Sequence, residues 1–89
     1  MSRVVTLTMH VGHFVEVEVT PAVEKAIEIG RHLRSTGSTK VDAVRAMFPE
    51  VAHEPREAIW YAIIHGVNLS SRGAVTYYYN ARKEHLRHC

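Results

Sequence analysis

The sequence predicts an α+β chain: a β-hairpin at about residues 3–19, then four helices at about 21–35, 40–48, 54–65 and 70–87. Three observations predict it. Residues 4–19 alternate apolar and polar side chains with a β-branched bias, which is the period of a half-buried strand. From Thr20 onward the apolar residues recur at intervals of three and four, the period of an amphipathic helix. Cap and breaker residues then divide the helical stretch into four pieces.

In the hairpin, Val5, Leu7 and Met9 alternate with Thr6 and Thr8, and Val15, Val17 and Val19 with Glu16 and Glu18. A two-residue loop Val11-Gly12 would set Leu7 opposite Glu16 and Val5 opposite Glu18, mixing charge into an apolar face. A three-residue loop His10-Val11-Gly12 instead pairs Leu7 with Val15 and Val5 with Val17. It also places Gly12 where a G1 bulge needs a left-handed residue, so face pattern and turn chemistry agree.

The first helix opens at Thr20-Pro21-Ala22-Val23-Glu24, with Thr20 as N-cap, Pro21 in the first turn and Glu24 near the positive helix end. Val23, Ala26, Ile27, Gly30 and Leu33 form its apolar face, and Gly37 ends it. Thr39-Lys40-Val41-Asp42 has the spacing of a capping box with Asp for Glu, so a short second helix buries Val41, Val44, Met47 and Phe48 and closes at Pro49. The third helix takes Pro55 in its first turn, carries Ile59, Trp60, Ile63 and Ile64, and stops at Gly66. The fourth has Ser70 as N-cap, with Leu69 set to staple onto Ala74.

A chain of 89 residues supports one modest core. We read residues 1–89 as one domain: hairpin 1–19, linking helix 20–38 and a trihelical unit 39–89. The lone cysteine, Cys89, permits no internal disulfide and fits a reducing compartment. No run approaches the ~18 apolar residues of a membrane span, and the N-terminus lacks a secretory apolar core. A cytoplasmic location away from membranes is the expectation.

The formal net charge of +2 is small, but its distribution is uneven. Residues 1–69 carry seven Lys/Arg against eight Asp/Glu, whereas residues 70–89 carry Arg72, Arg82, Lys83 and Arg87 against Glu84 alone. At 100° per residue, one side of the fourth helix gathers Ala74, Tyr78, Ala81 and His85. The opposite side gathers Arg72, Thr76, Asn80, Lys83 and Arg87, with Tyr79 at its border and Tyr77 on the other flank. The run Tyr77-Tyr78-Tyr79 therefore splits into one core anchor and two marginal residues. The outward set is what a groove-reading helix uses: Arg and Lys for phosphates or guanine, Asn for adenine, Thr for a thymine methyl. Ser70 and Ser71 would add a hydroxyl and backbone N–H groups at the anion-favouring helix end. The same face would also suit solvent or a protein partner.

The stretch Ala62-Ile63-Ile64-His65-Gly66-Val67 followed by Leu69-Ser70-Ser71-Arg72-Gly73-Ala74-Val75 resembles the second half of a helix-turn-helix DNA-binding unit, over roughly residues 39–87. There Ala62 and a turn Gly66 would let two helices cross, and Val75 falls nine positions after Gly66, a longer interval than the motif usually shows. The segments Lys40 to Ala46 and Gly73 to Asn80 also resemble small phage and bacterial proteins of unassigned function. The helix-turn-helix resemblance implies a DNA-binding regulator, phage- or plasmid-borne; the second resemblance suggests a lineage and supplies no activity.

Seven histidines raise the question of a metal. His10 with His13, and His85 with His88 and Cys89, fall short of four converging ligands, so no metal or cofactor is expected. There is no phosphate loop, nucleophile motif or triad, so no enzyme is expected. A two-stranded hairpin is marginal alone, so either its apolar face packs on helix 21–35 or strands from two chains join, giving a homodimer through that element. The function read from the sequence is thus duplex-DNA binding through Ser70, Ser71, Arg72, Thr76, Tyr79, Asn80, Lys83 and Arg87. The alternative is a non-enzymatic protein-interaction module or inhibitor of a host factor.

Overall fold

A computed structural model describes residues 2–10 and 13–87. Strands β1 (Arg3–His10) and β2 (His13–Val19) form an antiparallel hairpin, followed by α1 (Pro21–Ser35), α2 (Lys40–Val51), α3 (Arg56–Val67) and α4 (Ser71–Arg87). The α+β class and the element order are those the sequence predicts.

The hairpin has the apolar register: Val5 pairs with Val17, and Leu7 with Val15. It reaches that register differently from the expectation, because His10 pairs with His13 and the register shifts between Thr8 and His10. The odd residue is absorbed by a bulge at Met9, inside β1, rather than by lengthening the loop to include His10. The expected left-handed Gly12 lies outside the described residues. Leu7, Met9, Val17 and Val19 are buried against the helices, and Val5 and Val15 are half-buried. Val4, Thr6, Thr8, Phe14, Glu16 and Glu18 face outward and are exposed.

Helix α1 keeps both expected ends. Thr20 Oγ1 accepts the Val23 N–H at 3.3 Å, and Pro21 occupies the first turn. At the other end Gly37 takes φ +95°, so that Ser38 N–H reaches Leu33 O at 2.9 Å and Gly37 N–H reaches Arg34 O at 3.3 Å, a Schellman closure. Helix α2 starts as expected, with Thr39 Oγ1 accepting the Asp42 N–H at 3.1 Å. It does not close at Pro49 but runs on to Val51. Proline in a helix interior costs about 3 kcal/mol relative to Ala. Here it sits in the last turn, and the extra residues carry Val51 into the core, where burying a valine returns about 1.5–3 kcal/mol. Val41, expected in the core, is 46% exposed; the buried face of α2 is Ala43, Val44, Met47, Phe48 and Val51.

Helix α3 begins after Pro55, which is its N-cap, and continues through Gly66 to Val67. Gly66 is therefore no turn residue. The left-handed position belongs to Asn68, at φ 60° and ψ 55°, and Leu69 N–H then bonds Ile64 O at 3.2 Å. Gly66 instead lies against Gly30 of α1, where a Cβ on Gly30 would stand 3.2 Å from Gly66 Cα. Met47 covers the crossing: its Sδ lies 2.5 Å from the Gly30 Cβ position and its Cε 2.6 Å from that of Gly66. The two glycines let α1 and α3 approach until a methionine alone fills the remaining space. One core joins all six elements, from Leu7 and Val17 through Val23, Met47 and Ile63 to Tyr78.

Candidate nucleic-acid interface

Three residues, 68–70, connect α3 to α4. Ser70 caps the new helix, its Oγ accepting the Gly73 N–H at 3.1 Å, and Leu69 packs against the core. Val75 comes seven residues after the left-handed Asn68 and nine after Gly66.

The faces of α4 fall as the 100° period dictates. Ala74, Tyr78 and Ala81 are buried. Tyr78 stands edge-to-face with Trp60 at 5.8 Å and 86°, and lies 6.2 Å from the Phe48 ring. Farther along, His85 is half-buried, with its ring 5.3 Å from Phe48. Trp60 Nε1 is buried without an oxygen acceptor among the described residues.

On the other side Arg72, Thr76, Asn80, Lys83 and Arg87 are all exposed and form a ridge. A groove between α2 and α4 runs along one flank, lined by Val41, Arg45, Tyr77, Asn80, Lys83 and Arg87. A second cleft, toward the hairpin and α3, takes Arg72, Thr76 and Tyr79 with Arg56, Trp60 and Met9. Tyr77 is thus half-buried on one flank, while Tyr79 is 49% exposed on the other and edges onto Tyr78 at 5.1 Å. Arg56 sits over the Trp60 ring at 5.4 Å. Its Nε donates to Glu57 at 2.9 Å, a bond that raises the guanidinium pKa and holds Glu57 below the usual carboxylate range.

The expected site residues do not all have free side chains. Ser70 Oγ is used by the cap, and Ser71 Oγ donates to Met9 O at 2.9 Å, which makes Ser71 the joint between hairpin and helix. Thr76 Oγ1 leans back on Arg72 O at 3.4 Å, and Arg87 meets Glu84 at 3.6 Å. Arg72, Asn80 and Lys83 are exposed and make no side-chain hydrogen bond or ion pair among the described residues.

Charge is segregated more strongly than the net value suggests. Arg3, Lys25, Arg56 and Arg87 pair with carboxylates, whereas Arg31, Arg34, Lys40, Arg45, Arg72, Arg82 and Lys83 make no ion pair among the described residues. Of the carboxylates outside ion pairs, Glu16 and Glu18 lie on the outer face of the sheet, turned away from the helices. The excess positive charge therefore belongs to the helical part. Sequence reading missed Arg45, because it was weighed with the acidic N-terminal segment; the groove brings it beside Lys83. Its position four residues after Val41 on α2 was the only available signal.

Among the described residues no three His, Cys, Asp or Glu side chains converge, and no helix is long and apolar enough to cross a membrane. His88 and Cys89 lie outside the described residues, as does the His10 side chain. No protein family model, no curated protein and no solved structure matches the chain.

Proposed function

We propose that the chain is a small DNA-binding protein, of the kind that regulates transcription in a bacterium, phage or plasmid, and that the ridge of α4 is its contact surface. The observation that carries this reading is the exposed line Arg72, Thr76, Asn80, Lys83 and Arg87, extended across the groove by Arg45 and bearing one carboxylate, Glu84. From Arg72 to Arg87 the ridge runs about 22 Å along the helix axis, the length of six or seven base pairs. Arg72, Lys83 and Arg87 would hold phosphates or guanine edges. Asn80 would pair with adenine, Thr76 would meet a thymine methyl, and Tyr79 would lie against the backbone. Ser70 and Ser71 contribute the helix start, with its N–H groups and positive dipole end. The short capped turn between α3 and α4 supports the helix-turn-helix comparison.

Fluorescence anisotropy of a labelled generic duplex, titrated at rising salt, tests the reading. Binding that weakens linearly in log[salt] supports it. Absence of binding at low salt overturns it.

A second reading has its own observation. Phe14 and Val4 are each 65% exposed on the outer face of the hairpin, apolar area that suits a protein contact. Either a second copy joining hairpin to hairpin or a host factor would cover it. Light scattering tests the first, since a dimer mass that reverts to monomer on Phe14→Glu identifies the hairpin as the interface.

A further inference from the structure

The end of α1, the start of α2 and the end of α3 meet at a cleft of about 590 Å³. Arg31, Arg34, Lys40 and His65 line it, together with the Gly66 to Asn68 backbone, and no carboxylate does. Part of this charge has a structural use. Arg31 Nε donates to His65 O at 3.2 Å in the last turn of α3, and Arg34 Nη1 to Ser38 O at 2.7 Å in the loop before α2. Each guanidinium carries five N–H donors in a rigid fork, and one such bond leaves most of them unspent.

Lys40 has no such use. It is the first residue of α2, where the helix dipole is positive and a cation is disfavoured, and it has no acceptor among the described residues. Two arginines across the cleft make its place less favourable still. His65, on the far wall, has its pKa lowered by burial first and by Arg31 and Arg3 after it. A cleft lined by Arg31, Arg34 and Lys40 and by no carboxylate suits an anionic ligand.

We propose that this cleft holds a backbone phosphate of the same duplex gripped by the α4 ridge, through Arg31, Arg34 and Lys40. Lys40 lines the cleft, while its neighbour Val41 lines the groove shared with Arg45, Lys83 and Arg87. The two basic surfaces thus flank the first turn of α2. Lys40 and Arg45 are about 7.5 Å apart along the helix axis and about 140° apart around it, so they reach to opposite sides of that turn. The DNA-facing surface becomes a band of three helices rather than one helix face, and this inference rests on the nucleic-acid reading of α4.

Lys40→Glu separates binding from folding, because the two respond in opposite directions. A carboxylate at the first position of α2 suits the helix dipole, so the melting temperature holds or rises. Affinity for a duplex of about 20 base pairs should fall, and the slope of log K against log[salt] should flatten by at least about 0.9. Arg34→Gln with Lys40→Gln should flatten it by about 1.8, and adding Lys83→Gln and Arg87→Gln by about 3.6 in total. If Lys40→Glu and the Arg34/Lys40 pair keep wild-type affinity and slope while the Lys83/Arg87 pair flattens it, the cleft proposal is overturned and the ridge reading stands. If the wild-type protein does not bind at all, both are overturned.

Discussion

Ser71, the first residue of α4, donates its hydroxyl to the carbonyl of Met9 at 2.9 Å, across 62 residues of sequence. The bulge at Met9 interrupts the strand ladder, and a carbonyl released from the ladder needs another donor if it is partly buried. One hydroxyl thereby fixes the start of the candidate recognition helix against the hairpin.

Ser71→Ala should accordingly destabilise the fold by about 1 kcal/mol, the usual net value of such a bond. For a domain of this size that lowers the melting temperature by roughly 4–8 °C. The affinity for DNA well below the melting temperature should not move, because the lost group serves the joint; a weakened affinity would make Ser71 a contact residue.

The Gly30/Gly66 crossing under Met47 predicts a directional asymmetry. In an exposed helix Gly→Ala gains about 1 kcal/mol. Gly30→Ala should instead gain nothing or lose up to about 2 kcal/mol net, since overpacking a core costs roughly 1–3 kcal/mol and the new methyl meets both Met47 Sδ and the Gly66 backbone. Gly66→Ala meets chiefly the Met47 tip, so Met47→Ala should cost less in that background than in the wild type, with a coupling of about 0.5–3 kcal/mol. Urea unfolding of the four-member cycle measures it, and strict additivity would contradict the packing described.

Lys83→Ala with Arg87→Ala should flatten the salt slope by about 2 and weaken all duplexes alike, with little change in melting temperature, because the Arg87–Glu84 pair is a surface pair. Asn80→Ala should behave differently. Its loss should cost about 1–3 kcal/mol on a preferred sequence and little on others, since a bidentate adenine contact is specific. Selection from a random duplex pool by each variant separates the two behaviours.

His65 supplies a pH dependence. Its folded pKa lies below the unfolded value of about 6.5, through burial first and then Arg31 and Arg3. The unfolded chain therefore binds the proton more readily, and stability should fall as the pH drops below about 6.5 until the folded form is also protonated. His65→Gln should remove that part of the dependence between pH 7 and pH 5. Identical stability profiles for variant and wild type would contradict the assignment.

Local signals were legible wherever one residue had one duty. Thr20, Gly37, Thr39 and Ser70 cap as read, because caps satisfy backbone groups within a few residues of themselves. Pro49 and Gly66 were misread as stops because each tolerates a local cost for a distant gain: the burial of Val51 in one case and the α1–α3 crossing in the other. The exposed ridge of α4 was visible from the helical period. Its neighbours Arg45, Arg31, Arg34 and Lys40 were not, since they lie on other helices and were summed with the acidic segment.

The sequence by itself determined the α+β order, the hairpin register and which side of α4 faces out, because alternation and the 3.6-residue period act through covalent geometry alone. Only the tertiary structure decided that the tyrosine run spans two clefts and that Asn68 rather than Gly66 makes the turn. It also decided that basic residues from three helices flank the first turn of α2. Those features depend on which helices touch, and contacts between helices far apart in sequence are not specified by any local period.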